Sequence, residues 1–324
     1  MKAVQVHALS DDITAIAIEE VPLPPPGPGE VQIAIRACAI NFPDLLMVQG
    51  KYQFKPPLPF TPGMEASGDV IAAGPGVMGF AAGGKVVAGL RTGGLAEFTN
   101  TPAQTCRPIP EGMSYVEASA YTTAYLTAYV ALVRRGQLQP GETLLVHGAA
   151  GGVGLAAVDL GKAFGATVIA TASSQAKLDA LTARGADHVI DVRRGFKDEV
   201  KALTGGHGAD VIYDPVGGDV FDESVRCIAW NGRLLVIGFA SGRIPQISAN
   251  MPLIKGFSVI GVRAGEYGRR DPEKGAENLA AIDRLAATGR IRPHIHAVFP
   301  LDRAAEAMCQ LRDRAVIGKV VVTP

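Results

Sequence analysis

The sequence predicts an α/β fold with a doubly wound parallel sheet and a second, smaller domain made mostly of antiparallel strands. A glycine-rich turn joins an apolar strand to a helix within residues 144–158, and strand and helix patterns alternate through the middle of the chain. The first third instead contains short strand patterns separated by proline and glycine turns. Continuously apolar strands separated by helices are typical of a parallel sheet that is covered on both faces.

Short strands account for the N-terminal third of the chain. Residues 31–37 alternate polar and apolar side chains directly after a proline- and glycine-only turn at 24–29. Further strand patterns, each ending at a glycine, occupy residues 67–74 and 85–89. This alternation, with turn residues between the strands, predicts a small β domain.

The character of the sequence changes near residue 115, where a helix pattern runs from Ser114 to Arg134. Alternating strand and helix patterns then predict successive βα units. The strand patterns lie at 143–147, 167–170, 188–190, 211–214, 233–237 and 257–262, and the helix patterns between them at 153–164, 175–184, 196–203 and 221–228. Helix-rich sequence follows from Pro272, and the chain closes on the strand pattern 319–322.

Composition and charge exclude several classes of function. A chain of 324 residues is too long for one ordinary core, so two domains are expected. Equal numbers of basic and acidic residues, 31 of each, argue against nucleic acid or an anionic membrane as a partner. The N-terminus has no signal-peptide pattern, and no apolar run reaches membrane-spanning length. The four cysteines are scattered, so we expect free thiols in a cytoplasmic protein.

The glycine turn is the most informative segment. Gly151, Gly152, Val153 and Gly154 follow a buried strand pattern and open a helix pattern. Gly151 lets the backbone approach a pyrophosphate, and Gly154 lets the helix pack tightly. The helix N-terminus adds free N–H groups and a positive dipole end for the phosphates. With several βα units around it, this turn predicts dinucleotide binding.

The second βα unit indicates which dinucleotide is bound. An NAD site usually places Asp or Glu on the adenosine ribose about 20 residues beyond the glycine turn. Here Ser173, Ser174 and Lys177 occupy that region without a carboxylate. Two hydroxyls and a cation suit a 2′-phosphate, so the sequence predicts NADPH as the cofactor.

These residues give the chain a resemblance to the quinone oxidoreductase (zeta-crystallin-like) branch of the zinc-free medium-chain dehydrogenase/reductases. The resemblance extends over nearly the whole chain, with one departure at Asp159, where the family usually has Gln. It implies a Rossmann domain at 119–265 inserted in a split, GroES-like catalytic domain formed by 1–118 and 266–324. The segments that carry it are 141–154 with Lys162, 26–31, 41–44, 50–52, 59–63 and 318–321.

The resemblance also implies roles for single residues. Lys177 matches a phosphate-binding lysine, and Arg314 an arginine that reaches the same phosphate. Thr123 is placed against the nicotinamide, and Gly238 and Phe239, after the strand 233–237, are expected to line its ring. A tyrosine that some members carry after the third strand is Val192 here, so that contact is in doubt, and Arg193 is a candidate substitute.

Zinc-dependent members of the superfamily carry Cys where this chain has Asn41, and His-Glu where it has Met64-Glu65. Asn and Met do not replace a thiolate and an imidazole as zinc ligands. His294 and His296 would share one face of a strand without a third ligand, so no metal site is predicted. Without a Lewis acid, the expected chemistry is the reduction of an acceptor that is already activated.

The segment 41–52 is the predicted wall of the substrate pocket. Tyr52 matches a tyrosine beside the nicotinamide, and its phenol suits hydrogen bonding or proton donation to a carbonyl. Asn41 is the second proposed catalytic residue, with either the nicotinamide ribose or the substrate carbonyl as its partner. Asp44 is interpreted as structural.

Three functions remain open at this point. The leading one is zinc-independent, NADPH-dependent reduction of a quinone by a cytoplasmic enzyme. A second is the reduction of an enone or a 2-enoyl thioester, which would use the same Asn41 and Tyr52. The third is an NADPH-binding protein with little turnover. The apolar strand 257–262 resembles the family's edge strand, which predicts a homodimer.

Overall fold

The computed structural model describes residues 1–13 and 16–324, which divide into two compact units. Met1–Thr123 and Arg292–Pro324 form the first unit, and Ala124–Ile291 forms the second. Residues 266–291, assigned from the sequence to the catalytic domain, pack within the second unit, where Arg134 donates hydrogen bonds to Glu277 and Asn278. The limits 1–118 with 266–324 and 119–265 remain a prediction for the domains themselves.

Strands occur in both units. In chain order they are β1 Lys2–Gln5, β2 Ala17–Glu20, β3 Glu30–Ile40, β4 Glu65–Ala73, β5 Lys85–Gly89, β6 Phe98–Pro102, β7 Cys106–Pro108, β8 Thr143–Val146, β9 Thr167–Ala172, β10 His188–Asp191, β11 Ala209–Asp214, β12 Ile228–Val236, β13 Ser258–Gly261, β14 Ile295–Pro300 and β15 Lys319–Thr323.

Helices cover or connect these strands. They are α1 Phe42–Val48, α2 Tyr115–Tyr129, α3 Gly152–Ala163, α4 Gln175–Ala183, α5 Lys197–Leu203, α6 Gly218–Ser224, α7 Asn250–Lys255, α8 Ala264–Arg270, α9 Pro272–Ala287 and α10 Ala304–Arg312. A π-helical segment, Val130–Arg135, continues α2 to the end of the predicted helix. Within the described residues, no helix is both long and apolar enough to cross a membrane.

The first unit is built on a seven-stranded sheet that joins the two ends of the chain. Its strand order is β14-β15-β3-β4-β5-β7, with β6 also paired to β3. The C-terminal strand β15 pairs antiparallel with β3 through Val320 opposite Ile40 and Val322 opposite Cys38. This pairing brings Lys319, the first residue of β15, next to the end of β3 where α1 begins.

The second unit is built on a six-stranded parallel sheet in the order β10-β9-β8-β11-β12-β13. The chain leaves β8 first towards β9 and β10, and later returns to β11 on the other side. Such a reversal opens a crevice at the carboxyl ends of the two central strands. Leu144, Leu145 and Val146 of β8 are fully buried, as expected for a central strand. The predicted α/β fold class is therefore confirmed.

The largest local difference from the sequence prediction lies between β11 and β12. The helix expected at 221–228 is α6, which begins at Gly218 and ends at Ser224. Ile228 already pairs with Ala209, and the strand then shifts register before Arg233 pairs with Val211. Asn231, within that shift, has a left-handed φ of 60°. The pairing requirement of β12 therefore shortens the helix that precedes it.

Asp159, the departure from the family pattern, has partners within the second unit. Its carboxylate accepts two hydrogen bonds from Arg184, at 2.7 Å from Nε and 2.6 Å from Nη2. The hydroxyl of Tyr125, a buried residue of α2, donates to the same carboxylate. The Asp159 side chain is only 8% exposed, so the carboxylate of the Asp159–Arg184 ion pair is almost fully removed from solvent. An acid at 159 is therefore matched by a guanidinium and a phenol.

Candidate active site

The glycine turn lies at the carboxyl end of β8, beside the crevice between β8 and β11. Gly148 has a left-handed φ of 52°, and Gly151 is the residue that precedes the first turn of α3. The first N–H groups of any helix have no acceptor within the helix, and they carry its positive dipole end. No acidic side chain lies in the first turn of α3. This helix start is suited to an anionic group.

Gly151 and Gly154 differ in what surrounds them. A Cβ at Gly154 would lie 2.4 Å from the Gly148 carbonyl oxygen and 2.7 Å from the Ala149 Cα, so this glycine is required by packing. A Cβ at Gly151 would meet only the Gly148 oxygen, at 3.4 Å, an ordinary contact. The protein therefore leaves the space beside Gly151 open, and a dinucleotide phosphate fits that feature.

Two further turns share the same edge of the parallel sheet. After β11, the buried Asp214 carboxylate accepts hydrogen bonds from the backbone N–H groups of Val216, at 2.8 Å, and Gly217, at 2.9 Å. Its burial raises the pKa of that carboxyl. After β12, Gly238 lies against Pro215, and Phe239 is 37% exposed. Gly238 and Phe239 thus lie just beyond the carboxyl end of β12. The residues of the glycine turn lie just beyond the carboxyl end of β8, the strand on the other side of β11.

His147, between β8 and the glycine turn, was not singled out from the sequence. It is fully buried, with Nε2 at 2.8 Å from the Ser224 Oγ and Nδ1 at 3.1 Å from the Thr171 Oγ1. Because the Ser224 hydroxyl donates to the Val220 carbonyl, it accepts from His147, and Nε2 carries the proton. Desolvation lowers the pKa of His147 to about 3, so the ring is neutral. It joins the ends of β8, β9 and α6.

Ser173, Ser174 and Lys177 lie between β9 and the first turn of α4. Ala149 of the glycine turn donates to the Thr171 carbonyl at 3.1 Å, which holds this region beside the turn. Ser174 precedes α4 but its side chain makes no capping hydrogen bond, and the first turn contains no acid. The arrangement suits a 2′-phosphate. Arg193, the candidate substitute at the third strand, instead pairs with Asp191, with Nη2 at 2.6 Å from its carboxylate.

In the first unit, Asn41 belongs to a buried polar network. Its Nδ2 donates to the Glu65 Oε1 at 3.0 Å, and its Oδ1 accepts from the Lys319 Nζ at 2.5 Å. Lys319 also donates to the Glu65 Oε1 at 3.0 Å, and the Glu65 Oε2 accepts from the Thr123 backbone at 2.8 Å. Asn41, Glu65 and Lys319 are each no more than 5% exposed. Two predicted site residues, Asn41 and Thr123, are therefore both bound to Glu65.

Asp44 holds the start of α1 and the neighbouring turn. Its fully buried carboxylate accepts from the Asn41 backbone at 2.8 Å and from the Gly63 backbone at 3.0 Å. Burial raises the pKa of Asp44 to about 7, although both backbone hydrogen bonds and Lys319 act against the rise. The same surroundings raise the pKa of the nearby Cys38 thiol well above its usual value, chiefly by desolvation. These contacts agree with the structural interpretation of Asp44.

Tyr52 and Arg314 lie elsewhere in the first unit. Tyr52 follows α1, with its backbone N–H donating to the Leu46 carbonyl at 3.2 Å, and it packs against the β-domain core while remaining partly exposed. Within residues 1–13 and 16–324, no hydrogen bond engages its phenol. Arg314 lies in the turn between α10 and β15 and has a left-handed φ of 55°. It is exposed.

The residues around Asn41 do not fit a zinc ion. A zinc site needs several thiolate, imidazole or carboxylate donors, and across the described part of the chain no group of three or more such residues could hold a metal. The Asn41 position supplies an amide, and the Lys319 ammonium, which has no lone pair, already occupies the polar side of that amide. The Asn41 position therefore lacks the donor set of a zinc site.

Comparison with known proteins adds to this geometry. Residues 27–111 match the family described as alcohol dehydrogenase GroES-like domain, and residues 152–281 match that described as zinc-binding dehydrogenase. Quinone oxidoreductase-like protein 2 homolog of Nematostella vectensis is 44% identical over 301 residues, which cover 91% of this chain and 82% of that protein.

Solved structures agree with these matches. A probable oxidoreductase from Mycobacterium abscessus has a TM-score of 0.91 and 37% identity, and covers 100% of this chain and 99% of its own. Escherichia coli quinone oxidoreductase, solved in complex with NADPH, has a TM-score of 0.92 and 30% identity with full coverage of both chains. The chain therefore belongs to the quinone oxidoreductase-like branch of the medium-chain dehydrogenase/reductases and is an oxidoreductase.

Proposed function

We propose that this enzyme catalyses the zinc-independent, NADPH-dependent reduction of a quinone or a similarly activated carbonyl acceptor. The observation that carries the proposal is the chemistry of the Asn41 network: Asn41 and Met64 stand where zinc-dependent members have a thiolate and an imidazole, and the Asn41 amide is engaged by Glu65 and the Lys319 ammonium. The lack of a Lewis acid favours an acceptor whose carbonyl is already activated by conjugation.

NADPH is the proposed cofactor, and it supplies the hydride when bound. The turn Gly151, Gly152, Val153 and Gly154 is assigned to its pyrophosphate, and Ser173 and Lys177 to its 2′-phosphate. Gly238, Phe239, Thr123 and Arg314 complete the set assigned to the cofactor. The open space beside Gly151 and the absence of an acid in the first turn of α4 support this choice. The complex of Escherichia coli quinone oxidoreductase with NADPH supports it independently.

Tyr52 is the proposed donor to the acceptor. Its phenol has no hydrogen-bond partner among the described residues, so it remains able to donate a hydrogen bond to a carbonyl oxygen, or a proton to the carbanion-like carbon that is left next to the carbonyl when hydride has added to the neighbouring carbon. Asn41 contributes through the buried network. Lys319 and Glu65 hold its amide in place, which limits what this side chain can offer to a ligand.

A homodimer is proposed from the edge of the parallel sheet. β13 is an outer strand, and Val259 on it is 38% exposed. The same unit exposes Trp230, Leu253 and Ile254, at 68%, 80% and 67%. An apolar edge of this kind needs covering, and a second copy of the chain would supply a matching strand. A monomeric mass by light scattering at micromolar concentration would contradict the dimer.

The experiment that tests the function is a screen of NADPH oxidation by enzyme dialysed against a chelator. Turnover should be seen with benzoquinones, and NADPH should bind at least about tenfold more tightly than NADH, since one charge-assisted contact is worth about 1.4 kcal/mol or more. Turnover confined to crotonyl-CoA and enones would favour the enoyl reductase alternative. Tight NADPH binding without oxidation by any acceptor would indicate a binding protein. Activity that depends on stoichiometric zinc would refute metal independence.

We also propose a cytoplasmic location, in keeping with the free thiols of Cys38, Cys106, Cys227 and Cys309, and fractionation of the source cells would test it.

A further inference from the structure

Lys319 is a buried lysine inside the first unit, and its ammonium donates hydrogen bonds to Asn41 and Glu65. Its side chain is 6% exposed and that of Glu65 is 0% exposed, and the two are 3.0 Å apart. The other lysine pairs of the described chain, such as Lys162 with Asp187, are far more open, at 35% exposure for each side chain. Burying an ammonium costs free energy unless it is paired and hydrogen-bonded, so the buried position of Lys319 needs a structural or functional reason.

The contacts of Lys319 determine which way the Asn41 amide faces. An ammonium has only donors, so the Asn41 atom that lies 2.5 Å from it must be the carbonyl oxygen. The amide nitrogen then points to the Glu65 Oε1 at 3.0 Å and to the Ala39 carbonyl at 3.4 Å. Both donor hydrogens are used, and one lone pair on Oδ1 remains. Without Lys319, only the two acceptors on the nitrogen side, Glu65 and Ala39, would distinguish the two orientations of the amide.

The same lysine also balances the buried charge. The Glu65 carboxylate accepts hydrogen bonds from the Asn41 side chain and from the Thr123 backbone, and it is not exposed to solvent. Asp44 adds a second buried carboxyl close by, and Lys319 is the cation that both of them face. The ammonium of Lys319 therefore both balances buried negative charge and orients the Asn41 amide.

We propose that Lys319 is a positioning residue for the reaction: its ammonium holds the Asn41 carbonyl oxygen and fixes the Asn41 amide in one orientation. This inference rests on the proposed function only in taking Asn41 to face the reacting groups. Lys319 itself acts through Asn41 and touches neither cofactor nor acceptor.

The test separates charge balance from positioning. Lys319→Met leaves Glu65 buried without its cation, and its melting temperature should fall by on the order of 10 °C. Lys319→Met/Glu65→Gln removes one charge of each sign, so most of that loss should be recovered. Turnover of the double variant should nevertheless stay at least about tenfold below the wild type, because nothing then directs the Asn41 oxygen. Arg36→Met/Asp69→Asn, which removes an exposed pair joining β3 and β4, is the matched control and should keep full turnover.

A double-mutant cycle with Asn41 identifies the route of the effect. In an Asn41→Ala background, Lys319→Met/Glu65→Gln should cause no further loss of turnover. If instead turnover returns together with the melting temperature in the double variant, Lys319 serves charge balance alone and the proposal is overturned. The same conclusion follows if the losses of turnover from Asn41 and from Lys319 simply add.

A second readout does not depend on turnover. In the free enzyme, the Asn41 side-chain NH₂, identified in ¹⁵N spectra by its loss in Asn41→Ala, should exchange slowly with solvent. In Lys319→Met/Glu65→Gln it should exchange at least about tenfold faster. An unchanged exchange rate would overturn the positioning role. If no acceptor oxidises NADPH, the proposed function is wrong. The exchange rate of the Asn41 side-chain NH₂ would still show whether Lys319 positions Asn41 or only balances the charge of Glu65.

Discussion

The two units carry candidate site residues of different kinds. In the second unit, the residues assigned to the cofactor contribute backbone N–H groups, glycines and open space at the carboxyl ends of parallel strands, together with the side chains of Ser173, Lys177 and Phe239. In the first unit, Asn41 is a buried side chain that other buried side chains hold, whereas Tyr52 is partly exposed and Arg314 is exposed. Asn41, Glu65 and Lys319 come from three separate strand ends, and the hydrogen bond from Lys319 to Asn41 spans 278 positions.

The difference teaches where each part is vulnerable. A site made of backbone tolerates many side-chain changes and fails where a Cβ enters a closed space. A site made of buried polar side chains fails when one partner is removed, because the others are then left unsatisfied. Substitutions in the two units should therefore act through different measurable quantities.

The sharpest test of the first unit is Tyr52→Phe, which removes one oxygen and little packing. A positioned proton donor is worth about 10²–10⁴-fold, so turnover should fall by that range with enones or enoyl thioesters. The loss should be smaller with quinones, whose reduced oxygens take protons from water. Steady-state kinetics with one acceptor of each class would measure the pattern.

NADPH affinity is the internal control for Tyr52→Phe, because the cofactor is assigned mainly to the other unit. Calorimetric titration should give a dissociation constant close to that of the wild type. Full turnover with every acceptor would mean that Tyr52 is only a wall of the pocket, and the proposed mechanism would be wrong.

The second unit is tested by a pair of glycine variants. Gly154→Ala forces a Cβ to within 2.4 Å of the Gly148 oxygen, and such overpacking should lower the free energy of unfolding by about 1–3 kcal/mol and weaken NADPH binding. Gly151→Ala meets no such clash and should change stability by no more than about 0.5 kcal/mol. Its effect should appear in NADPH affinity alone.

Denaturant unfolding and calorimetric titration of the two variants would measure both quantities. Equal destabilisation by Gly151→Ala and Gly154→Ala would remove the distinction between a packing glycine and a ligand-facing one. Unchanged NADPH affinity in Gly151→Ala would contradict the assignment of this turn to the pyrophosphate.

His147 sharpens the comparison through pH. Its pKa is lowered to about 3 in the folded state, so between pH 6.5 and pH 3 the unfolded chain binds a proton that the folded chain does not. The stability contribution of His147 is thus complete above about pH 6.5 and is lost as the pH falls. At pH 5 the loss should be about 2 kcal/mol relative to a His147→Asn variant, at 1.36 kcal/mol per pH unit.

The comparison with His147→Asn is needed because Asp44 acts in the opposite direction. The Asp44 pKa is raised to about 7 in the folded state, so its contribution is complete below about pH 3.8 and is lost as the pH rises towards 7. Denaturant unfolding of wild type and variant at pH 7 and pH 5 isolates the histidine. Parallel pH profiles would show that His147 is not buried in its neutral form.

The sequence predicted the backbone-made part more completely than the part made of side chains. A glycine turn between a strand and a helix leaves a local pattern, and the fold class and the family that it indicated are confirmed. The Asn41 network leaves no local pattern, because Lys319 lies at the far end of the chain. For Lys319 the one signal is the resemblance of residues 318–321, which implies no role for it. His147 was missed because a single polar residue at a strand end carries no periodicity.

The Asp159–Arg184–Tyr125 cluster has a consequence for the history of this chain. Gln at 159 would leave the half-buried Arg184 guanidinium without its carboxylate, and Asp at 159 without Arg184 would leave a desolvated acid. The two positions are therefore epistatic, since either change alone passes through a less stable intermediate. If α3 were replaced by the same helix of a relative that carries Gln at position 159, stability would be kept only if residue 184 were replaced together with it.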